Sequence, residues 1–333
     1  MPTLIKKSKI KKRDFLAFIC MFIIAAGIFV YSSRAASNLG DINNDAKVDM
    51  TYLTFLLSNY GKSTAQLSDP DTDVDANGLV DIFDLSILLS NYGKTASSTP
   101  LNQTLGFNTL NLSASDEFTG AAGTKPSSSK WGAKQFTATN GSVVYWNGLN
   151  NVQLDGTGNL DIFAQRQASG TWNSSWISGT QSYTGPRYME ARAKVPAGQG
   201  VWSAPIWEWD APYGSLGTEN DVIEQLGIEP TSYHTTLHSG GTDSSKNNTT
   251  LSTLANDYHV YGAAVYADRV DYYFDGAKIQ TITKAEMGNK WGFDATAMVL
   301  NISLDMGGWG GAPSAGLPST VRMLVDYIRV YTP

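Results

Sequence analysis

Three acids stand close together in residues 217–227, GTENDVIEQLG: Glu219, Asp221 and Glu224. Crowded carboxyls raise one another's proton affinity, so one keeps a proton near neutral pH while another stays ionised. A pair of that kind does acid/base and nucleophilic work. At about 5–5.5 Å apart across a sugar-sized gap it cleaves a glycosidic bond with retention. The backbone must first bring the acids together. On a helix Glu224 lies roughly 140° round from Glu219. On a regular strand Glu219 and Asp221 share a face and Glu224 falls on the other. One extra residue at Val222 or Ile223, a β-bulge, puts all three on one face, and bulges recur beside active sites. An inert charged strand is the alternative reading.

The elements that must position the triplet begin near residue 107. From there short β-branched and aromatic runs (RYMEARAKV, YHVYGAAVY, AMVLNISLDM, RMLVDYIRVY) alternate with Gly, Asn, Ser and Asp turns. The period is 2, and long helical periodicity is absent. The pattern predicts an all-β, jelly-roll-like sandwich over 107–333. All nine tryptophans lie between Trp131 and Trp309. Aromatic platforms suit the apolar faces of sugar rings, although large aromatics also fill cores.

Over this span the chain resembles glycoside hydrolase family 16. The resemblance rests on SDEF (115–118), SKW (129–131), EARAKVPAGQGVWSAPIW (190–207), ENDVIE (219–224), FDG (274–276) and LVDYIRVY (324–331). E-x-D-x-x-E is the bulged form of its laminarinase-like branch. The resemblance implies a concanavalin-like jelly roll in which Glu219 is the nucleophile, Glu224 the general acid/base and Asp221 the assisting carboxylate. It implies a secreted, retaining endo-β-glycosidase acting on β-1,3-glucan (laminarin) or β-1,3-1,4-glucan. A galactan hydrolase, a β-glucan transglycosylase and a non-catalytic lectin-like binder are the alternatives. It also implies sugar contacts from Trp202, Trp207, Trp209, Trp309 and His238, and a convex-side structural calcium held by Glu117, the Gly158 carbonyl and Asp326. Tyr145 and Trp146, in the predicted loop VVYWNG, are candidates for an outer subsite. Two departures stand out. APIWEWDAPYGS (204–215) is not the family's common wording, and Asn220 replaces a usual aliphatic residue and is expected to face away from the cleft.

His234 and His238 have the i, i+4 spacing of a zinc motif, but YHTTLHSG is strand-like and lacks the glutamate of HExxH, so no zinc site is expected. His259 reads as a structural strand residue.

Residues 38–95 hold a repeat at an offset of 32: LGDINNDAKVDMTYLTFLLSNYG and DVDANGLVDIFDLSILLSNYG. Each copy places oxygen donors at the spacing of an EF-hand calcium loop, followed by a helix-like run. The second loop offers Asp73, Asp75, Asn77, the Leu79 carbonyl, Asp81 and Asp84, with Gly78 at the turn. The first offers Asp41, Asn43, Asp45, the Lys47 carbonyl and Asp49, but has Ala46 at the turn and Tyr52 at the last position, which predicts a weakened site. The tandem resembles a type I dockerin, a small α-helical module folded on structural calcium. The resemblance implies docking onto a cohesin-like scaffold or surface protein. Polar residues 96–106 read as a linker.

Residues 1–37 read as an export signal: six basic residues between Lys6 and Arg13, an apolar run over 15–31, and small residues over 32–37 that allow cleavage after Ala35. A retained anchor is the alternative, since the run sits at the short limit for crossing a bilayer. Cleavage would remove seven positive charges and one negative, taking the formal net charge from −6 to −12. Such acidity disfavours nucleic acid and anionic lipid, leaving the membrane only residues 15–31. Cys20 is the single cysteine, so the exported part has no disulfide. The expectation is an extracellular monomer, secreted or attached to the cell surface, that needs no cofactor for catalysis and works on a polysaccharide.

Overall fold

The computed structural model describes residues 50–63, 66–67, 72–74, 77–92, 100–137, 144–210, 217–240, 242–250, 253–288 and 291–333. The chain forms helices α1 (Met50–Asn59) and α2 (Ile82–Asn91) after the two acidic loops of the repeat. Leu56, Val74, Val80 and Leu88 bury a small core between them. A capping box starts α2: Asp81 accepts from the Phe83 N–H at 2.7 Å, and Asp84 from the Asp81 N–H at 2.7 Å.

The linker expected over 96–106 is shorter than its polarity suggested. From Pro100 the chain is ordered as helix α3 (Leu101–Thr104), and the Asn102 side chain, buried, donates to the Phe107 carbonyl at 2.8 Å. Phe107, with Leu101 and Leu105, packs on Tyr188, Ala264 and Tyr273. Three apolar side chains in an otherwise polar stretch are what tie it down.

The rest is the expected sandwich. One sheet runs in the order β13 (Thr242–Thr249), β12 (Ser232–Ser239), β11 (Glu219–Leu226), β10 (Val201–Asp210), β17 (Met298–Met306), β8 (Trp176–Gly179), β2 (Trp131–Ala133). The other runs β16 (Ala277–Thr283), β15 (Arg269–Phe274), β14 (His259–Val265), β9 (Arg187–Lys194), β18 (Thr320–Thr332), β6 (Leu160–Arg166), β7 (Trp172–Ser174), β4 (Val144–Asn147), β3 (Gln135–Thr137), with β1 (Thr109–Leu110) on β18 and β5 (Val152–Leu154) on β6. A capped turn of helix, α4 (Lys284–Met287), follows β16. The inner faces interdigitate: Val222, Ile223, Leu237, Leu300 and Ile302 of the first sheet share one core with Met189, Ala191, Tyr261 and Val330 of the second. That leaves the outer face of the first sheet for the acid triplet.

Two bulges set its geometry. Between β11 and β12, Asp221 pairs with Thr236 but Glu224 with His234, so one extra residue lies between the acids. This is the bulge that the acid spacing required. Between β10 and β17 the register also slips, between Ala204 and Trp207. Yet β10 and β11 keep one register throughout, so the two bulges lie opposite each other. Pro205 occupies the β10 bulge, a place where a missing ladder donor is tolerated.

Candidate active site

Directly paired residues of an antiparallel sheet point the same way, so the register defines the cleft face. One row is His238, Glu219, Trp209 and Val299; the next is Thr236, Asp221, Trp207, Asn301 and Ser178. Beyond the paired bulges His234 stands opposite Glu224, and Trp202 opposite both Leu226 and Asp305. Glu219, Asp221 and Glu224 therefore share one face.

Asp221 and Glu224 are buried, and Glu219 is partly so. Oxygens of Glu219 and Asp221 and a ring nitrogen of His238 all lie within 4.8 Å of one another. His238 Nε2 is 3.3 Å from Asp221 Oδ2, and its Nδ1 is 2.8 Å from Asp243 Oδ1. Thr236 Oγ1 donates to Glu224 Oε2 at 3.1 Å. All three acids hold their protons more tightly than a free carboxyl does, Asp221 far more so and Glu219 with its pKa pushed up to about 9. For Glu219 the causes are burial, then the charge of Asp221, with His238 opposing; for Asp221, burial, then the charge of Glu224. For Glu224 burial prevails over the lowering contacts of Thr236, His238 and Trp202. Glu219 and Asp221 are near enough to share one proton, which makes their titration a property of the pair. The cluster thus offers a nucleophilic oxygen and retained protons in one buried place.

Aromatic rings line the face. Trp207 and Trp209 lie 5.9 Å apart, and Trp176 sits 5.2 Å and 5.7 Å from them. Trp176 Nε1 donates to Asn301 Oδ1 at 2.9 Å, and Ser178 Oγ to the same oxygen at 2.5 Å. Sequence reasoning missed Trp176, Asn301 and Ser178, because their relation to the acids runs through strand pairing and no local motif marks them. Trp309 is 46% exposed and packs at 4.5 Å on His234 and 6.0 Å on Trp202, forming a second aromatic patch beside Glu224.

A model of the glycosyl hydrolases family 16 matches residues 133–329. The chain belongs to glycosyl hydrolase family 16. Among curated proteins, endo-1,3-1,4-beta-glycanase ExsH of Rhizobium meliloti is 33% identical over 162 residues, 48% of this chain and 32% of that protein. Glucan endo-1,3-beta-glucosidase A1 of Niallia circulans is 30% identical over 265 residues, 67% of this chain and 38% of that protein. The chain spans about a third of the length of these relatives. Among solved structures, the endo-beta-1,3-glucanase of Pyrococcus furiosus superposes with a TM-score of 0.59 at 29% identity, covering 66% of this chain and 92% of that one. The endo-1,3-beta-glucanase (laminarinase) catalytic domain of Thermotoga petrophila RKU-1 gives 0.58 at 26% identity, covering 67% and 97%.

In this family 16 domain several expected residues stand elsewhere. The predicted loop VVYWNG is strand β4 in the other sheet, and Trp146 is a core residue, 5% exposed, packed edge-on to Trp176. Alternation along β4 turns Tyr145 to the opposite face, so the two do not form one sugar subsite. Asn220 faces the interior, as expected, where it bonds Glu208 and Tyr272. His234 and His238 share the cleft face, but their partners are carboxylates, Glu229 at 3.2 Å for His234 and Asp221 with Asp243 for His238. Among the described residues the one group with metal-ligand spacing is Glu219, Asp221 and His238. His259 is buried on β14 with Nδ1 2.8 Å from Asp275 Oδ2, a structural contact.

The convex-side calcium ligands do not fit an ion. Glu117 forms a bidentate pair with Arg329 at 2.7 Å and 2.7 Å, and Asp326 pairs with Arg192 at 2.6 Å. A cation there would have to displace both arginines. The second loop of the repeat fits better: Asp73 is buried and gathers the N–H groups of Asn77 (3.1 Å) and Gly78 (2.8 Å), while Gly78 adopts φ 96°. Those two N–H groups converge on one carboxylate, as they do in an oxygen-ligand loop. Asp75, Asp41, Asn43, Asp45, Lys47 and Asp49 lie outside the described residues.

Proposed function

We propose that the chain is an endo-acting β-glucan hydrolase that retains anomeric configuration. One observation carries this reading: the β11 bulge gathers Glu219, Asp221 and Glu224 on a single buried face beside Trp207, Trp209 and Trp176. Glu219 attacks the anomeric carbon as the glycosidic C–O bond breaks, and Glu224 gives its proton to the departing oxygen. Glu224 then takes a proton from water, whose oxygen displaces Glu219 from the sugar. Asp221 holds the proton that Glu219 must shed before attack. The neighbouring tryptophans offer flat apolar faces to the sugar rings. The relatives are named as an endo-1,3-1,4-beta-glycanase, a glucan endo-1,3-beta-glucosidase and endo-1,3-beta-glucanases, and we take β-1,3- and β-1,3-1,4-glucans as the substrate class.

The test is reducing-sugar release from laminarin, mixed-linkage β-glucan, agarose and carrageenan by the chain and by Glu219→Ala. Release from a glucan that the substitution abolishes supports the reading, and NMR of the first anomer formed checks retention. Cleavage of a galactan alone keeps the mechanism and replaces the substrate. Binding without cleavage points to a lectin.

We further infer that residues 38–95 are a dockerin-like module stabilised by calcium and exported with the enzyme for attachment to a cohesin-like partner. Asp73, Asn77, the Leu79 carbonyl, Asp81 and Asp84 would hold the ion in the second loop, where it supplies folding free energy and takes no part in catalysis. Chelation is expected to lower the helical circular-dichroism signal without changing hydrolysis. A helical signal insensitive to both chelator and added calcium would refute the assignment.

A further inference from the structure

Beneath the catalytic strand the sandwich interior is not purely apolar. Arg187 on β9, Glu208 on β10, Asn220 on β11 and Tyr272 on β15 are each 0% exposed. The Arg187 fork donates through Nε to Glu208 Oε2 at 2.9 Å and through a terminal nitrogen to Oε1 at 2.5 Å. Its other terminal nitrogen donates to the carbonyls of Gly185 (2.8 Å) and Phe293 (2.9 Å). Asn220 Nδ2 donates to Glu208 Oε1 at 2.9 Å, and the Tyr272 hydroxyl donates to Asn220 Oδ1 at 2.8 Å. The four side chains form a continuous hydrogen-bonded chain that ties β9 and β15 of one sheet to β10 and β11 of the other.

Its place in the register is what matters. Glu208 and Asn220 are direct partners across β10 and β11. The flanking pairs, on the cleft side, are Trp207 with Asp221 and Trp209 with Glu219. The interior pair therefore sits between two pairs of cleft residues on the same two strands. Any rotation of either strand about its axis that moves Glu219 or Asp221 also moves Asn220 or Glu208. A buried ion pair adds little stability over an apolar replacement of similar volume. It does fix direction, since a bidentate guanidinium–carboxylate contact is planar and specific where aliphatic packing is not. Asn220 is also the position where the sequence departs from the aliphatic residue usual in the motif, and Glu208 falls in the departing segment 204–215. The departures meet in one network.

We propose that Arg187, Glu208 and Asn220 are positioning residues that hold β10 and β11 against the second sheet and so fix Glu219 and Asp221 for reaction. None of them touches substrate. The inference rests on the proposed glucan hydrolysis, and its test separates the two. Removing one partner strands a buried charge and risks unfolding, so the variant of choice is apolar throughout: Arg187→Met, Glu208→Met and Asn220→Leu together. The expected result with laminarin is a folded chain whose KM stays within about twofold while kcat falls about 10- to 100-fold, the scale of a misplaced reacting group. Undiminished kcat in that folded variant overturns the proposal. Should it fail to fold, Tyr272→Phe removes only the hydroxyl that donates to Asn220; a lowered kcat at unchanged KM then supports the proposal, and an unchanged kcat overturns it. If the parent chain cleaves no glucan, the substrate reading fails by itself. Positioning is then read from carbon-13 carboxyl titration of Glu219 and Asp221, whose midpoints must move in the folded apolar variant or in Tyr272→Phe; unmoved midpoints overturn it.

Discussion

Nε2 of His238 lies 3.3 Å from Oδ2 of Asp221, across the β11–β12 pair. Asp243 holds the far side of the ring at 2.8 Å, so the imidazole is fixed from both ends beside Glu219 and Asp221. His238→Ala is expected to leave the fold intact, since the side chain is 36% exposed. It should lower kcat on laminarin about 10- to 100-fold with little change in KM, because a support that orients reacting groups acts on the transition state. Steady-state kinetics check this, and an unaltered kcat would remove His238 from the machinery.

Burial raises the folded-state proton affinity of Glu219, Asp221 and Glu224, and repulsion from a neighbouring acid adds to it for Glu219 and Asp221. A raised folded pKa gives stability that is complete below the unfolded value and is lost as pH rises through the folded one. The folded chain therefore grips protons that the unfolded chain has released once pH passes the ordinary carboxylate range, and stability falls with further rise. Glu219→Gln removes one such group at constant shape. Its melting temperature should exceed the parent's at about pH 8, and the gap should close toward about pH 4, where both states are mostly protonated. A gap that widens on acidification would reverse the sign and refute the account.

The acid spacing, read within the sandwich pattern around it, places the β11 bulge, since no regular strand puts Glu219, Asp221 and Glu224 on one face. Its partner in β10 was not found, although Pro205 inside a central strand signals one. The two-sheet sandwich followed from period-2 patterning. Trp176 and Asn301 did not, because they meet the acids only through pairing between β8, β17 and β10. Trp146 was misplaced because VVYWNG, bounded by glycine, reads as a turn unless its partner strands are known. The matched bulges make a sharp claim. Deleting Val222 leaves Glu-Asn-Asp-Ile-Glu, which keeps three acids on one face of a regular strand but leaves the β10 bulge unmatched. Activity should fall, and deleting Pro205 as well should recover at least about tenfold of it, since contacting sites couple. Laminarin assays of the single and double deletions decide it; equal loss in both would mean the bulges are independent.

Trp176 joins the cleft tryptophans to Trp146 in the core, at 5.2 Å from Trp207 and 5.9 Å from Trp146. It lies off the catalytic strand, on β8, so in the proposed reaction it would meet sugar rings away from the bond being broken. Trp176→Ala should raise KM for long oligosaccharides about tenfold, equivalent to about 1.4 kcal/mol of binding, with kcat nearly unchanged. A comparable KM increase on the shortest cleavable oligosaccharide would locate the residue at the reacting sugar instead.

The segment joining the repeat to the sandwich carries the last consequence. Phe107 is 2% exposed, and with Leu101 and Leu105 it covers Tyr188 and Tyr273 on the sheet remote from the acids. An enzyme domain begun at residue 108 loses all three, whereas one begun at residue 100 keeps them. Burial of one large apolar side chain is worth about 1.5–3 kcal/mol, and 1 kcal/mol moves the midpoint of a domain this size by about 2–4 °C. The shorter form should therefore melt at least about 5 °C below the longer one by differential scanning calorimetry. It should still hydrolyse laminarin at the same rate in the cold, because the covered patch and the acid triplet lie on different sheets. Equal melting temperatures would return residues 100–107 to the status of a free linker.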